Sequence, residues 1–482
     1  MVRISRKFLK STAMYTIAGA LPMASAIILL PFYLLYLPLE EYGALSIYLA
    51  VSVLIQIITT YSFDTGLYVF YHDLKKEPGK LRRYISSVFI FIFLLGIAVA
   101  LISLLLGDFV FSAFLKDKPI EFFPFGFMAV LSGIFQSFFK VHSNFLQTSE
   151  NPGVFFWSNL LSFSLIAGLT ILGLELYPQS LWGPIGGRLA ASIVSAIWAC
   201  GRIFINYGFR FDFSTLRESF RFNHSSFVYQ LQQWSMNYFD RFIMLFFLPL
   251  ETIGAYDFAV KCMLGLEFII SGLYNSFYPI VIHMVTNQEQ KVSTPEINRY
   301  YHGFIAVIMV LVSLAILGFS IIIDLGWISA GYEQSVKYLP LIGVIYLIRS
   351  IRFFFAFPYG ALKFSKPLPV IYLIISVLKI LLIVFFVRDY GVISVIVAGI
   401  LVTILEIILL WYFIRNKFEF RFNKLKIIVA PTVLATTIAI FQALDFLNSY
   451  VVYLFYLMVC FCVLALLYRS ELKVLRPGNI LR

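Results

Sequence analysis

The feature that most constrains this chain is its segmentation: long apolar runs recur from one end to the other, separated by short polar stretches. About 20 apolar residues in a helix cross a bilayer core about 30 Å thick. Runs of that kind, without strict alternation, argue for helices rather than a membrane barrel. Composition points the same way. Of 482 residues, 61% are hydrophobic and 13% charged, whereas soluble domains carry about a quarter charged. A soluble enzyme, a nucleic-acid binder and a disordered adaptor are therefore excluded. The fold class expected is an all-α polytopic membrane protein.

The predicted spans are 12–37, 44–68, 84–106, 124–147, 154–176, 181–205, 226–249, 255–280, 304–325, 340–362, 368–387, 392–414, 427–445 and 450–468. Arg3, Arg6, Lys7 and Lys10 before the first run imitate a secretory leader. The run from Ser11 to Leu37 is too long for one and has many successors, so it is read as the first span. Cys200, Cys262, Cys460 and Cys462 all fall within apolar runs, which predicts packing roles rather than disulfides.

Basic residues set the orientation. With the N-terminus inside, 26 of the 37 lysines and arginines fall on the cytoplasmic side, including Lys75, Lys76, Lys80, Arg82 and Arg83. Only Lys116, Lys118, Lys337 and Arg388 fall outside. That asymmetry predicts cytoplasmic termini and gives the net charge of +12 a topological meaning. The external segments are short and carry no clustered His, Asp or Glu. No HExxH, GxSxG or Walker loop occurs. The chain is therefore expected to transport rather than catalyse, with no cofactor, no metal and no nucleic acid as partner.

A short repeat divides the chain. Leu37-Pro38-Leu39-Glu40-Glu41-Tyr42-Gly43-Ala44 and Leu248-Pro249-Leu250-Glu251-Thr252-Ile253-Gly254-Ala255 agree at six of eight positions. Proline after a helix end, an acid to cap the next helix and a glycine to relax the turn explain each copy locally. Six spans separate the copies, so both have the same sense across the membrane, as in a parallel repeat. The organisation expected is an N-lobe of helices 1–6 (1–205) and a cytoplasmic, amphipathic linker at 206–225. A C-lobe of helices 7–12 (226–414) follows, then helices 13–14 with a tail (415–482). The two pseudo-symmetric six-helix lobes would face a central cavity.

Ionisable residues deep in a bilayer cost about 2.5–3.5 kcal/mol each, so they should face protein or water. The bases are Lys140, Arg188, Arg241, Lys261, Arg349, Arg352 and Lys379; the acids are Asp64, Asp240, Glu267 and Glu406. Arg349 and Arg352 are helical neighbours near mid-membrane, with Lys379 at similar depth on the next span. Forked guanidinium donors suit phosphate oxygens, so Arg349, Arg352, Lys379, Arg241 and Arg188 are candidates for a cationic, substrate-binding cavity. Pairing of Arg349 and Arg352 with Glu267 or Glu406 is the structural alternative. Asp64, Asp240, Glu267 and Glu406 are candidates for ion coupling or helix pairing. Asp240 and Arg241 point about 100° apart on an ideal helix, so each is expected to reach another helix. Asp64 is expected to be an ion or proton site, or else to cap or to pair with Lys140, and His142 is a possible titrating group. Among 52 phenylalanines and 29 tyrosines, most belong to interfacial belts. Tyr61, Tyr68, Tyr71, Tyr229, Tyr238 and Tyr359 are the candidates for stacking on sugar rings.

The stretch Asn237-Tyr238-Phe239-Asp240-Arg241-Phe242-Ile243-Met244, with Leu248-Pro249-Leu250-Glu251 and Gly254-Ala255-Tyr256, resembles a pattern on helices 7 and 8 of O-antigen-type (Wzx-like) polysaccharide flippases. These belong to the multidrug/oligosaccharidyl-lipid/polysaccharide exporter superfamily. Ser62-Phe63-Asp64-Thr65-Gly66-Leu67 is similar to the end of their helix 2. The resemblance implies a MATE-like fold and transfer of an undecaprenyl-pyrophosphate-linked oligosaccharide to the outer leaflet by alternating access. It implies a bacterial cytoplasmic (inner) membrane, with the lipid-linked oligosaccharide, membrane lipids and polysaccharide polymerase or assembly proteins as partners. Asp64, Asp240 and Arg241 match the family signatures; Arg349, Arg352 and Lys379 rest on depth alone. Tyr68, Val69 and Phe70 stand where many relatives carry a base, and fourteen spans exceed the usual twelve. A lipid II flippase fits less well, because Met14 to Tyr36 holds no charge. A cation-coupled multidrug exporter lacks the expected acid in helix 1, and a non-transporting scaffold is the third alternative.

Overall fold

A computed structural model describes residues 6–115, 119–287, 291–325, 330–443 and 450–469. Lys116 and Lys118, part of the expected external set, lie outside the described residues, as do Arg3 and residues 326–329. The protein is helical: α1 (Arg6–Tyr36), α2 (Leu39–Thr60), α3 (Phe63–Leu74), α4 (Pro78–Leu115), α5 (Phe127–Thr148), α6 (Pro152–Leu176), α7 (Trp182–Tyr207) and α8 (Phe213–Phe247). Next come α9 (Leu250–Asn287), α10 (Pro295–Asp324), α11 (Leu339–Ala361), α12 (Leu368–Tyr390), α13 (Val392–Ile414), α14 (Ala430–Ala443) and α15 (Tyr450–Leu467). Each predicted apolar run coincides with a helix, except that the second is two. Tyr61 (φ 43°) and Ser62 (φ 55°) adopt the left-handed conformation and separate α2 from α3. No glycine or proline marks this break, which is why the sequence reads as one span.

Among the described residues, ten helices are long and apolar enough to cross a membrane, which makes this a multi-pass membrane protein. α8 does not qualify. Gln230, Gln232, Gln233, Asn237, Asp240 and Arg241 interrupt its apolar character, and it packs on α2, α3 and α4. The segment 206–225 is also more regular than expected, since α8 already begins at Phe213. There Asp212 caps the helix by accepting from the Ser214 N–H at 3.0 Å.

The chain divides into two compact units, residues 1–254 and 255–482. In the first, α6 packs on α1 and α7, and α5 packs on α2 and α7. The α6–α7 approach is close because Gly183 and Gly187 leave no side chain on the facing stripe. A Cβ on Gly187 would meet the Leu169 carbonyl oxygen at 2.3 Å. Small residues four apart are the usual means of bringing membrane helices together. An aromatic and aliphatic cluster around Phe63, Tyr84, Phe89 and Phe138 fills the space between α3, α4 and α5. In the second unit α11 is central, packing on α10, α13 and α14.

The repeated octapeptides have a different role from a relaxed turn. Pro38 precedes α2 and Pro249 precedes α9, as expected, but no side chain caps α2. Gly43 and Gly254 lie inside the first turns of these helices rather than in the connection. Within residues 1–254 the two copies touch. A Cβ on Gly43 would come 2.1 Å from the Leu250 carbonyl oxygen, and one on Gly254 would come 2.4 Å from that of Leu39. The glycines serve close backbone approach, not turn geometry.

Candidate functional site

The charged residues singled out in the apolar runs are mostly engaged with one another. In the first unit, Lys140 of α5 reaches Asp64 of α3 at 3.3 Å. Lys140 also donates to Gln230 Oε1 at 3.2 Å, while the Gln230 amide donates to Asp64 at 3.3 Å. Asn144 completes the shell of the buried carboxylate at 3.5 Å. Asp64 begins α3 just after the left-handed pair, so the helix break is what turns it toward α5. Pairing with Lys140, one of its expected roles, is present in the geometry.

Asp240 and Arg241 also meet each other, within α8. The arginine Nη1 lies 2.9 Å from Asp240 Oδ1 and donates to the Asn237 carbonyl at 2.7 Å. Adjacent residues diverge at Cβ, but the arginine side chain is long enough to fold back along α8 and meet its neighbour. The two charges neutralise each other directly, and both residues are buried.

In the second unit, Arg349 Nη1 contacts Glu267 of α9 at 2.9 Å. Arg352 Nε contacts Glu406 of α13 at 2.5 Å, and its Nη2 donates to the Tyr372 hydroxyl of α12 at 3.1 Å. Arg349 and Arg352 share a stretch of α11, yet they are drawn to acids on two different helices. The pairing alternative describes them. Arg349 keeps part of its surface open, with 39% side-chain exposure, against 19% for Arg352. Lys379 is buried on α12 among its own contacts. Lys261 pairs with Asp257 at 2.7 Å.

Thus each of the four expected acids holds a base. Asp257, which sequence reasoning passed over, holds a fifth; its spacing of four residues before Lys261 was the available signal. Arg188 is different. No hydrogen bond or ion pair among the described residues reaches its guanidinium, and its Nε is buried without a partner.

Arg188 lines a cavity of about 510 Å³ contained within the first unit, between α1, α2, α5, α6 and α7. Gln136, Lys140, Ser143, Asn144 and Gln147 form one wall along a single face of α5. Opposite them stand Asn159 and Ser162 of α6 and Ser192 and Ser195 of α7. Gln136 Nε2 donates to Ser192 Oγ at 3.1 Å, Ser195 to Ser162 at 3.3 Å, and Ser143 exchanges hydrogen bonds with Asn159. The spacing of the α5 polar residues at one helical face is visible in the sequence, but a search for charges alone does not find it. His142 points elsewhere and is buried, with Nδ1 unpartnered.

The candidate sugar-stacking tyrosines divide. Tyr359 is buried, donates to the Leu410 carbonyl at 2.7 Å and stacks on Phe364. Tyr61 shares a hydrogen bond with His224 at 2.9 Å and stacks on Phe227. Tyr71 packs edge-on against Phe145, and Tyr238 lies beneath Arg241. Tyr68 and Tyr229 are exposed.

Comparison with solved structures finds the same fold. The chain resembles the lipid II flippase MurJ in its inward closed conformation, at 15% identity and a TM-score of 0.69, over 96% of this chain and all of that one. It also resembles an inward-facing multidrug resistance MATE transporter of the MOP superfamily, at 12% identity and a TM-score of 0.61, over 83% of this chain and 95% of that one. A third is the MATE multidrug transporter DinF-BH in complex with R6G, at 14% identity and a TM-score of 0.56, over 86% and 96% of the two chains. No curated protein matches by sequence. The sequence family described as polysaccharide biosynthesis protein matches residues 8–285, more than half of the chain. With that match and a fold shared with membrane transporters, the chain belongs to the polysaccharide biosynthesis protein family.

Proposed function

We propose that this protein is a flippase that carries a lipid-linked oligosaccharide, on a carrier such as undecaprenyl pyrophosphate, across a bacterial inner membrane. The observation that carries the proposal is the family match over residues 8–285, on a fold like that of a lipid II flippase. The interior charges support it. Buried acid–base pairs tie helices together inside each unit, and the uncompensated charge of Arg188 is positive, which suits an anionic cargo. In this reading Asp64–Lys140 and Arg352–Glu406 are helix locks, Asp240–Arg241 is a pair within α8, and the part-exposed Arg349, with Lys379, attracts the pyrophosphate. Transport proceeds by alternating access, so the cargo or a gradient must favour one state over the other. Both termini are cytoplasmic, the product feeds an O-antigen-type polysaccharide, and a polymerase receives it. No covalent step is required of the protein.

The test is the leaflet distribution of lipid-linked oligosaccharide in cells with and without the protein. Cytoplasmic accumulation in its absence, reversed on restoring it, is the expected result. Normal outward display without it, in cells with no second flippase, would remove the reading. Drug sensitivity of the same cells would then decide whether the fold serves a multidrug exporter.

A further inference from the structure

We infer that the cavity of the first unit is a seat for one acidic sugar residue of the glycan, with Arg188 as the receptor for its carboxylate. This rests on the oligosaccharide reading above and names a class of sugar for it. The argument begins with charge. Lys140 and Arg188 are the charged groups among the cavity-lining residues, and Lys140 is matched by Asp64 at 3.3 Å. One positive charge is left, on a guanidinium whose Nε is buried and has no partner. A buried donor without an acceptor is costly, and a bound carboxylate would satisfy it with a forked pair of hydrogen bonds. One uncompensated cation matches a monoanion. A pyrophosphate would bring more negative charge than this cavity balances.

The rest of the lining is neutral: Val53, Phe139, Phe155, Phe163 and Ile166 are apolar, and the other side chains are polar. Gln136, Asn144, Asn159 and Ser162 offer amide and hydroxyl groups of both donor and acceptor type. Those groups suit the ring hydroxyls of a sugar, the phenylalanines suit its apolar ring faces, and the unmatched positive charge disfavours a drug cation. The volume of about 510 Å³ lies within the range of about 300–1,000 Å³ usual for small-molecule pockets. The polar face of α5 runs from Gln136 to Gln147, eleven steps along the helix or about 16 Å at 1.5 Å per residue. That length leaves room for a neighbouring sugar beyond the acidic one.

The experiment uses the purified full-length protein and sodium glucuronate, followed by ligand-observed NMR titration, with glucose and inorganic phosphate as comparison probes. Saturable glucuronate binding is expected, with glucose and phosphate at least tenfold weaker. Arg188→Gln should weaken glucuronate at least tenfold, and Gln136→Leu, which leaves the guanidinium in place, should weaken it severalfold. Thermal melting of each variant separates lost binding from lost folding; if Arg188→Gln does not fold, Gln136→Leu and the probe comparison decide. Three results would each overturn the inference. These are no saturable binding of glucuronate, unchanged binding by folded Arg188→Gln, or phosphate binding as tightly as glucuronate. Because binding needs no transport, these results are read separately from the leaflet measurement, so failure of the sugar seat is distinguishable from failure of the flippase reading.

Discussion

Replacing Arg352 by methionine asks whether the arginines inside the membrane are locks or ligands. Its guanidinium lies 2.5 Å from Glu406 and donates to Tyr372 at 3.1 Å, and the two side chains of the pair are 19% and 9% exposed. Arg352→Met leaves the Glu406 carboxylate without its counter-charge, which for a buried pair costs about 3–5 kcal/mol. Unfolded membrane segments also find partners for polar groups, so the low end, about 3 kcal/mol, is expected. Glu406→Leu strands the arginine and should cost a similar amount. The double variant removes both charges and should recover most of the loss, because apolar replacements of buried pairs are often near neutral. The assay is melting of the wild type and three variants in detergent, with glycan export measured in cells. A lock predicts two unstable single variants and a stable double variant that exports. A stable double variant without export would make Arg352 a ligand. An Arg352→Met protein that melts with the wild type would refute the energetic argument itself.

Four further outcomes follow from the geometry. Gly43→Ala sets a Cβ 2.1 Å from a backbone oxygen, and such overpacking should cost about 1–3 kcal/mol. Gly168→Ala on α6, with open space around it, should be neutral or slightly stabilising in the same melting experiment. Lys140→Met leaves Asp64 with only Gln230 and Asn144 as partners. Partial exposure of the lysine limits the loss to about 1–3 kcal/mol, read as a lower melting temperature. Hydrogen bonds from Ser214 hold the Asp212 carboxylate below its usual range. A depressed folded-state value means its stabilisation is present at neutral pH and fades as pH falls below the ordinary carboxylate range. Amide exchange at the start of α8 should accelerate there, and Asp212→Ala should abolish that pH dependence.

The helices were legible because bilayer thickness imposes one length on every span, so apolar runs alone located them. The break at Tyr61-Ser62 was not, because two non-glycine residues in a left-handed conformation leave no compositional mark. Charges such as Arg349, Arg352 and Glu406 were identifiable by their cost in an apolar run. Which acid each base would meet depends on how α9, α11 and α13 pack, and periodicity carries no such information. The contact between Asp240 and Arg241 was hidden by side-chain length: Cβ directions on an ideal helix say little about a guanidinium several bonds away. The amides of the α5 face are plain in the sequence, but neutral polar residues in a helix cost less than charges and so mark a site less sharply.

The polar character of α8 bears on how the protein is made. A segment holding Gln230, Gln232, Gln233, Asn237, Asp240 and Arg241 is a poor client for the insertion machinery on its own. The internal Asp240–Arg241 pair lowers that barrier without removing it. Its packing partners α2, α3 and α4 are synthesised earlier, so they are already in the bilayer when α8 emerges. Biogenesis therefore has a built-in order: the seventh apolar run enters as a guest of helices already inserted, and lesions in α2 or α4 should appear first as failed insertion of α8.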